Sequence, residues 1–250
     1  MPAEWAPHVA TWMQFPTGNF TFGPSGSGSL VRYQKKWAEV ANAISRFEPV
    51  LMVVHPDDID SARSVLGDGV EIMSAEIDDA WARDSGPTFL RSAAGELGAV
   101  HWRFNAWGQG DHMSYDHDAA IGGVIARASG ARTFESAMVN EGGGLHVDGE
   151  GTVMITRTVQ LDPDRNPGWT ERQVEDELGG FLSVDRVIWL DRGLTKDYDD
   201  FGTSGHVDIL ATFTPSGPVL VHVQEDPTHP DHEVSVELLA TLRSARDANG

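Results

Sequence analysis

A mixed α/β (α+β) fold is predicted for this chain, because segments with helical periodicity alternate with short buried strands and one strand–turn–hairpin pattern recurs. Within 33–47, Trp37, Val40, Ala41, Ile44 and Phe47 fall at helical spacing, which predicts an amphipathic helix. The apolar run that starts at Pro49 and ends before His55 is too short for a core helix and predicts a buried strand. A second helix over 57–66 and another strand then lead into the polar segment Asp78–Asp84. Upstream, 17–30 (TGNFTFGPSGSGSL) is rich in Gly and Ser and predicts a flexible surface loop.

The recurrence is visible in three places. Each time a buried strand runs into a polar, glycine-containing segment and then a hairpin: around Trp81–Thr88, Glu141–Gly149 and Gly202–Asp208. Gly149 and Gly217 suit the tight turns of such hairpins. Repetition at this period predicts an array of similar units that closes on itself, not a simple open sheet. A helix over 231–246 follows the last unit. Closure would need a further strand, so the ring reads as unfinished, with one edge unpaired. The 250 residues are read as one domain, 1–250, lacking its C-terminal repeat.

Composition narrows the function. The net charge is -20, from 18 basic and 38 acidic residues, which excludes binding nucleic acid through its phosphates. A small cation suits that field, although acidic residues also serve solubility alone. The longest apolar runs cannot span a bilayer, and the N-terminus has neither a basic start nor an apolar signal core. A cytoplasmic protein without membrane or nucleic-acid partners is the expectation. There is no cysteine, which leaves no disulfide, thiolate metal site or thiol nucleophile within these residues.

Four side chains carry the chemistry. His206 and Asp208 sit two apart in a stretch, 207–213, that reads as an alternating strand, so both are expected on one face. A histidine beside a carboxylate moves protons near neutral pH. Asp84 lies beside Trp81 and ahead of Gly86-Pro87, suited to a cationic head group with an aromatic wall for its aliphatic part. The plainer alternative there is an Arg83–Asp84 surface pair and a core Trp81. Glu141 precedes three glycines, where a ligand can approach the backbone closely. Convergent carboxylates suit a guanidinium, which presents donors in a planar fork, and would suit a divalent metal as well.

The motifs resemble the agmatine deiminase family, a branch of the guanidino-group-modifying penteins related to the Porphyromonas-type peptidyl-arginine deiminases. Residues 78–88 (DDAWARDSGPT) are similar to that family's DDxWxRDxGPT segment, 102–108 (WRFNAWG) to WxFNxWG, and 140–152 (NEGGGLHVDGEGT) to NEGGxxHVDGEGT. Arg165-Asn166-Pro167, Gly205-His206-Val207-Asp208 and the opening Met1–His8 match further motifs in order. The resemblance implies a pentein-type αβ-propeller, here an incomplete ring. It also implies hydrolysis of agmatine to N-carbamoylputrescine and ammonia with no cofactor and no metal. By position, Asp84 and Asp208 would hold guanidinium nitrogens. Glu141 would orient His206 or add a carboxylate contact, His206 would carry the proton, and Trp81 would line the alkyl channel.

The family's nucleophile is a cysteine near the C-terminus, and this chain contains none. The chain alone is therefore expected to be inactive, since a serine such as Ser204 or Ser85 is a weak nucleophile unless strongly activated. Two alternatives stand beside the hydrolase: a non-catalytic pentein that binds guanidinium ligands, and a metal-dependent hydrolase built on the donor-rich run His222–Glu233. The expected partner is a small cationic guanidine such as agmatine, with a homo-oligomer or a complementing C-terminal fragment left open.

Overall fold

The computed structural model describes residues 1–110 and 113–250. Its strands fall into four small sheets with a shared logic. The first joins β1 (Thr11–Gln14), β2 (Val50–Val54) and β3 (Val70–Ser74), all parallel. Parallel neighbours need a crossover, supplied by α1 (Gly28–Ile44) and then α2 (Ile59–Val65).

After β3 come a one-turn helix, α3 (Ala82–Ser85), and the antiparallel pair β4 (Thr88–Arg91) and β5 (Leu97–Arg103). A crossover through α4 (Asp116–Ala128) leads to β6 (Arg132–Val139), parallel to β5. The pattern repeats. A 3-10 turn, Gly142–Gly144, leads to the antiparallel β7 (His146–Val147) and β8 (Thr152–Thr156). The short α5 (Arg157–Gln160) and α6 (Glu171–Leu182) then carry the chain to β9 (Arg186–Leu190), parallel to β8. A last hairpin pairs β10 (Ala211–Phe213) with β11 (Val219–Val221), and α7 (Asp231–Ser244) follows. The mixed α/β class is as expected, and each of the three anticipated strand–turn–hairpin passages is present. Gly149 and Gly217 both have φ in the left-handed region, at 79° and 97°.

Burial on both faces explains why the strands read as unbroken apolar runs. Every residue of β8 is buried. Val153 and Ile155 pack with Val174, Leu178 and Leu182 of α6, while Met154 faces Leu190, Leu210, Val234 and Leu238. In β2, Val50, Met52 and Val54 pack with Phe15, Ala41 and Ala62.

Two sequence expectations are corrected here. The first helix begins at Gly28, not Tyr33, because Ser27 caps it by accepting the Leu30 N–H at 3.2 Å. Its buried face is Leu30, Gln34, Ala38 and Ala41, whereas Val40 and Phe47 are exposed. The Gly/Ser-rich stretch before it is anchored, not loose. Asn19 donates to the Asp78 carbonyl at 2.9 Å, and Phe22 is buried among Tyr33, Trp37 and Trp81.

The second correction concerns Val207–Phe213, which is not one strand. Val207–Ile209 is a 3-10 turn and only Ala211–Phe213 is extended. The Asp197 carboxylate pulls the chain into this turn by accepting the N–H groups of Thr203 at 2.9 Å, Gly205 at 2.7 Å and His206 at 3.2 Å. Gly205, at φ 111°, makes the corner.

Candidate active site

The three glycine-containing turns meet at Gly143. Its N–H donates to Asp84 Oδ1 at 2.9 Å. A Cβ built on Gly143 would collide with His206 Nδ1 and lie 2.9 Å from both Asp208 Oδ2 and Asp84 Oδ1. Asp84, His206 and Asp208 thus pack around one point on Gly143, and only glycine fits there. The neighbouring Gly142 has its own reason, since a Cβ there would run into the Arg83 carbonyl.

Each side chain is held differently. Asp84 sits on α3, which is pinned to β1 by the Ser85 hydroxyl donating to Gln14 Oε1 at 2.8 Å. Its Oδ2 accepts the indole N–H of Trp107 at 3.0 Å. That indole is aimed by an unusual corner: Ala106, Trp107 and Gly108 are all left-handed, at φ 55°, 59° and 79°. Such a run costs on the order of 1–3 kcal/mol for each non-glycine residue and persists where the surroundings enforce it.

Glu141 is fully buried. Both of its oxygens face Arg165 Nε, at 2.9 and 3.2 Å, and Oε2 also lies 3.1 Å from His206 Nε2. Arg165 is equally buried, and its remaining donors reach Asp162 Oδ2 and the Thr203 carbonyl, each at 2.7 Å. The Glu141 contact leaves the other ring nitrogen, His206 Nδ1, facing Asp84 Oδ1 at 3.8 Å. Asp208 is the open member. The residue as a whole is solvent-accessible while its carboxylate is tucked in against Gly143, and no hydrogen bond reaches that carboxylate among the described residues.

Electrostatics divide these groups. Burial pushes the carboxyls of Asp84 and Asp208 above their ordinary range, against the pull of His206. Burial also acts on Glu141, but the Arg165 charge and the contacts with His206 overcome it and hold Glu141 low. His206 goes up: the bond to Glu141 and the charges of Asp84, Glu141 and Asp208 outweigh its burial. A histidine that holds its proton more tightly than usual, backed by a carboxylate whose charged form is favoured, is suited to donating a proton.

The sequence reading named Asp84, Glu141, His206 and Asp208, and the structure brings all four together. Glu141 faces His206 and Arg165 inside the protein and not Gly143. Trp81 has its indole half-exposed against Trp37 and Phe22, with ring centroids 5.6 and 6.1 Å away. The surface-pair alternative for Arg83 and Asp84 is not realised, because Arg83 pairs with Glu4. Ser85 is buried and committed to Gln14. Gly143, Trp107 and Arg165 had no assigned roles. The glycine run hints at the first, and only a fold could show the left-handed corner that aims Trp107 or pair Arg165 with Glu141.

The donor-rich run His222–Glu233 does not form a metal centre. His222 Nδ1 lies 3.3 Å from the Ile209 carbonyl, and His232 Nδ1 is 2.9 Å from the Gln224 carbonyl. Among the described residues no group of three or more His, Asp or Glu is arranged to hold a metal ion. A broad cleft lined by Phe20, Asp57, Asp78, Asp79, His117 and Phe201 contains none of the four converging side chains. Two of its aspartates are occupied: Asp78 accepts the His117 and Asp118 N–H groups at the start of α4, and Asp79 accepts from Ala80 and Thr21.

The sequence profile of the Porphyromonas-type peptidyl-arginine deiminase family matches residues 1–250. The chain belongs to that family. A protein of Streptomyces avermitilis, provisionally named an agmatine deiminase, is 51% identical over 252 residues, covering 100% of this chain and 72% of its own length. The agmatine deiminase of Pseudomonas syringae pv. syringae is 38% identical, with 100% and 67% covered. Among solved structures, the agmatine deiminase of Enterococcus faecalis superposes with a TM-score of 0.92 at 32% identity, covering 100% of this chain and 67% of that one. The family's mixed α/β fold is thus shared along the whole of the present chain. Among the described residues, no helix is long and apolar enough to cross a membrane.

Proposed function

We propose that the chain supplies the guanidinium-binding and proton-transfer groups of an agmatine-deiminase-type hydrolase. The observation that carries this reading is the convergence of Asp84, Asp208 and the Glu141-backed His206 around Gly143. A planar guanidinium bound beside this cluster would find two carboxylates, Asp84 and Asp208, for its fork of N–H donors. The names of the relatives support agmatine as the substrate, and the charge of -20 favours such a cation. Trp81 would flank the aliphatic part of that substrate. The repeated hairpin–crossover units read as blades of a pentein-type αβ-propeller, with 1–250 as one domain and an incomplete ring.

In this reaction a thiolate adds to the guanidinium carbon, and His206 delivers its proton to the departing nitrogen, which leaves as ammonia. The same imidazole then takes a proton from water, whose oxygen adds to the amidino carbon. Collapse releases the thiolate and the ureido product, N-carbamoylputrescine. None of the 250 residues is a cysteine, so the thiol has to come from outside them and the chain alone binds without turnover. A second reading is a guanidinium-binding module with no catalytic role.

Incubation with agmatine, read by calorimetry and by ammonia release, tests both readings. Binding without ammonia, abolished by Asp84→Ala, is the expected result. Ammonia above background would overturn the need for an external thiol, and absence of binding would overturn the guanidinium site. Turnover restored by a cysteine-bearing C-terminal polypeptide of a relative would favour the hydrolase over the binding module.

A further inference from the structure

A second polar tier lies beside the first and is assembled from the same three passages plus the N-terminal segment. Arg83 precedes Asp84, His146 follows the glycine turn, and Thr212 lies four residues beyond Asp208. Glu4 joins them. It forms an ion pair with Arg83, and its other oxygen lies 3.7 Å from His146 Nε2, which in turn is 2.6 Å from the Thr212 hydroxyl. Arg83 and Glu4 are both about half-exposed, whereas His146 is buried and gives the carboxylate a fixed neighbour.

Arg83 presents a hazard to the neighbouring site. It is a guanidinium, the group the site is read to bind, and it is mounted one residue from Asp84. Its side chain starts beside Gly142, with Cδ 3.4 Å from a Cβ built there, and Asp208 Oδ2 lies 2.9 Å from a Cβ built on the next residue, Gly143. The Asp208 carboxylate accepts no hydrogen bond among the described residues, so it is an available partner. The charges of Arg83 and Glu4 act on Asp208 in opposite senses, which puts both groups in its electrostatic neighbourhood.

We propose that Glu4 is a positioning residue that holds the Arg83 guanidinium away from Asp208, leaving that carboxylate free for the guanidinium of a ligand. This rests on the guanidinium-binding reading above and extends it to a residue outside the converging set. When Glu4 cannot pair, Arg83 turns to the Asp208 carboxylate and occupies the site from within. The site is then competent only for the fraction of molecules in which Arg83 is elsewhere, and apparent affinity falls by that fraction.

The test is a double-mutant cycle on the full chain with agmatine as the probe, read by calorimetry. E4Q should weaken binding about tenfold, which corresponds to a competent fraction of roughly one in ten. R83M should bind as well as the unmodified chain or better, and E4Q/R83M should return to within about twofold of R83M. An unchanged E4Q, or a double variant as weak as E4Q, overturns the proposal. If the unmodified chain does not bind agmatine, the guanidinium reading fails, and the Asp208 carboxyl titration, followed by carbon NMR, decides the positioning role by itself. E4Q lowering the Asp208 pKa more with Arg83 in place than in the R83M background supports it, and equal shifts overturn it.

Discussion

His206 Nε2 lies 3.1 Å from Glu141 Oε2, and Arg165 Nε holds both oxygens of that carboxylate from the other side. Glu141 is therefore the centre of a buried Arg–Glu–His chain. Removing its charge leaves a buried cation with Asp162 as its remaining carboxylate, and loss of one partner of a buried pair is costly. Glu141→Gln should destabilise the fold by about 3 kcal/mol or more in urea denaturation. It should also lower the pKa of His206, measured by proton NMR, because the strongest support for the imidazolium is gone. A His206 titration that stays put would show that Glu141 does not control this imidazole.

Gly143 makes a sharper test of the site than any of the side chains around it. A methyl group there meets His206, Asp208 and Asp84 together, without altering a single ionisable group. Gly143→Ala should reduce agmatine binding by about 100-fold or more, since the added carbon stands where three ligand groups converge. Gly180, inside α6 with no atom within 4 Å of an added Cβ, is the control. Gly180→Ala should bind normally and gain up to about 1 kcal/mol of stability.

The pH dependence of binding should run in one direction. A cation needs Asp84 and Asp208 ionised, and both carboxyls are raised, mainly by burial. His206, whose pKa is also raised, adds an opposing positive charge until it titrates. Agmatine affinity should therefore rise with pH through the raised carboxylate range and again through that of His206. Two ordinary exposed carboxylates would give no change above pH of about 5. Trp107→Phe removes the indole donor from Asp84 Oδ2, a bond to a charged group worth about 1.5–3 kcal/mol. That variant should move the lower limb of the profile to higher pH and weaken binding about tenfold or more. An identical profile would show that the left-handed corner at Ala106-Trp107 serves the fold alone.

The legible and illegible parts of this molecule differ for physical reasons. Apolar runs such as Val50–Val54 and Thr152–Thr156 report their own burial, and Gly149 and Gly217 report their own turns, so the repeated passages are readable. The stretch 207–213 misleads because Val207, Ile209, Ala211 and Phe213 alternate as a strand would. What bends it is Asp197, ten residues upstream, accepting three N–H groups. His206 and Asp208 still end up together, through a 3-10 turn and not through the pleat of a strand. Arg165 and Trp107 are harder. Their roles depend on a buried charge 24 residues away and on a backbone conformation that neither residue type favours.

Outside the site, Asp118 gives a stability test with a definite sign. It is buried at the start of α4, where its Oδ1 accepts from Gln14 Nε2 and from the Asp78 N–H, each at 3.1 Å. Burial, reinforced by the charges of Asp78 and Asp79 and opposed by the Asp78 N–H, pushes its pKa up to about 7 from an ordinary 3.8. Between those values the folded chain holds a proton that the unfolded chain releases. Stability from this group is thus greatest at low pH and falls as pH rises towards 7, by on the order of 4 kcal/mol in total. Asp118→Asn keeps a carbonyl oxygen for both donors and has nothing to titrate. Between pH 5 and 8, the unmodified chain should lose about 3 kcal/mol more than this variant, compared by urea unfolding at each pH. Parallel pH dependences would place the Asp118 proton outside the balance that holds α4 against β1.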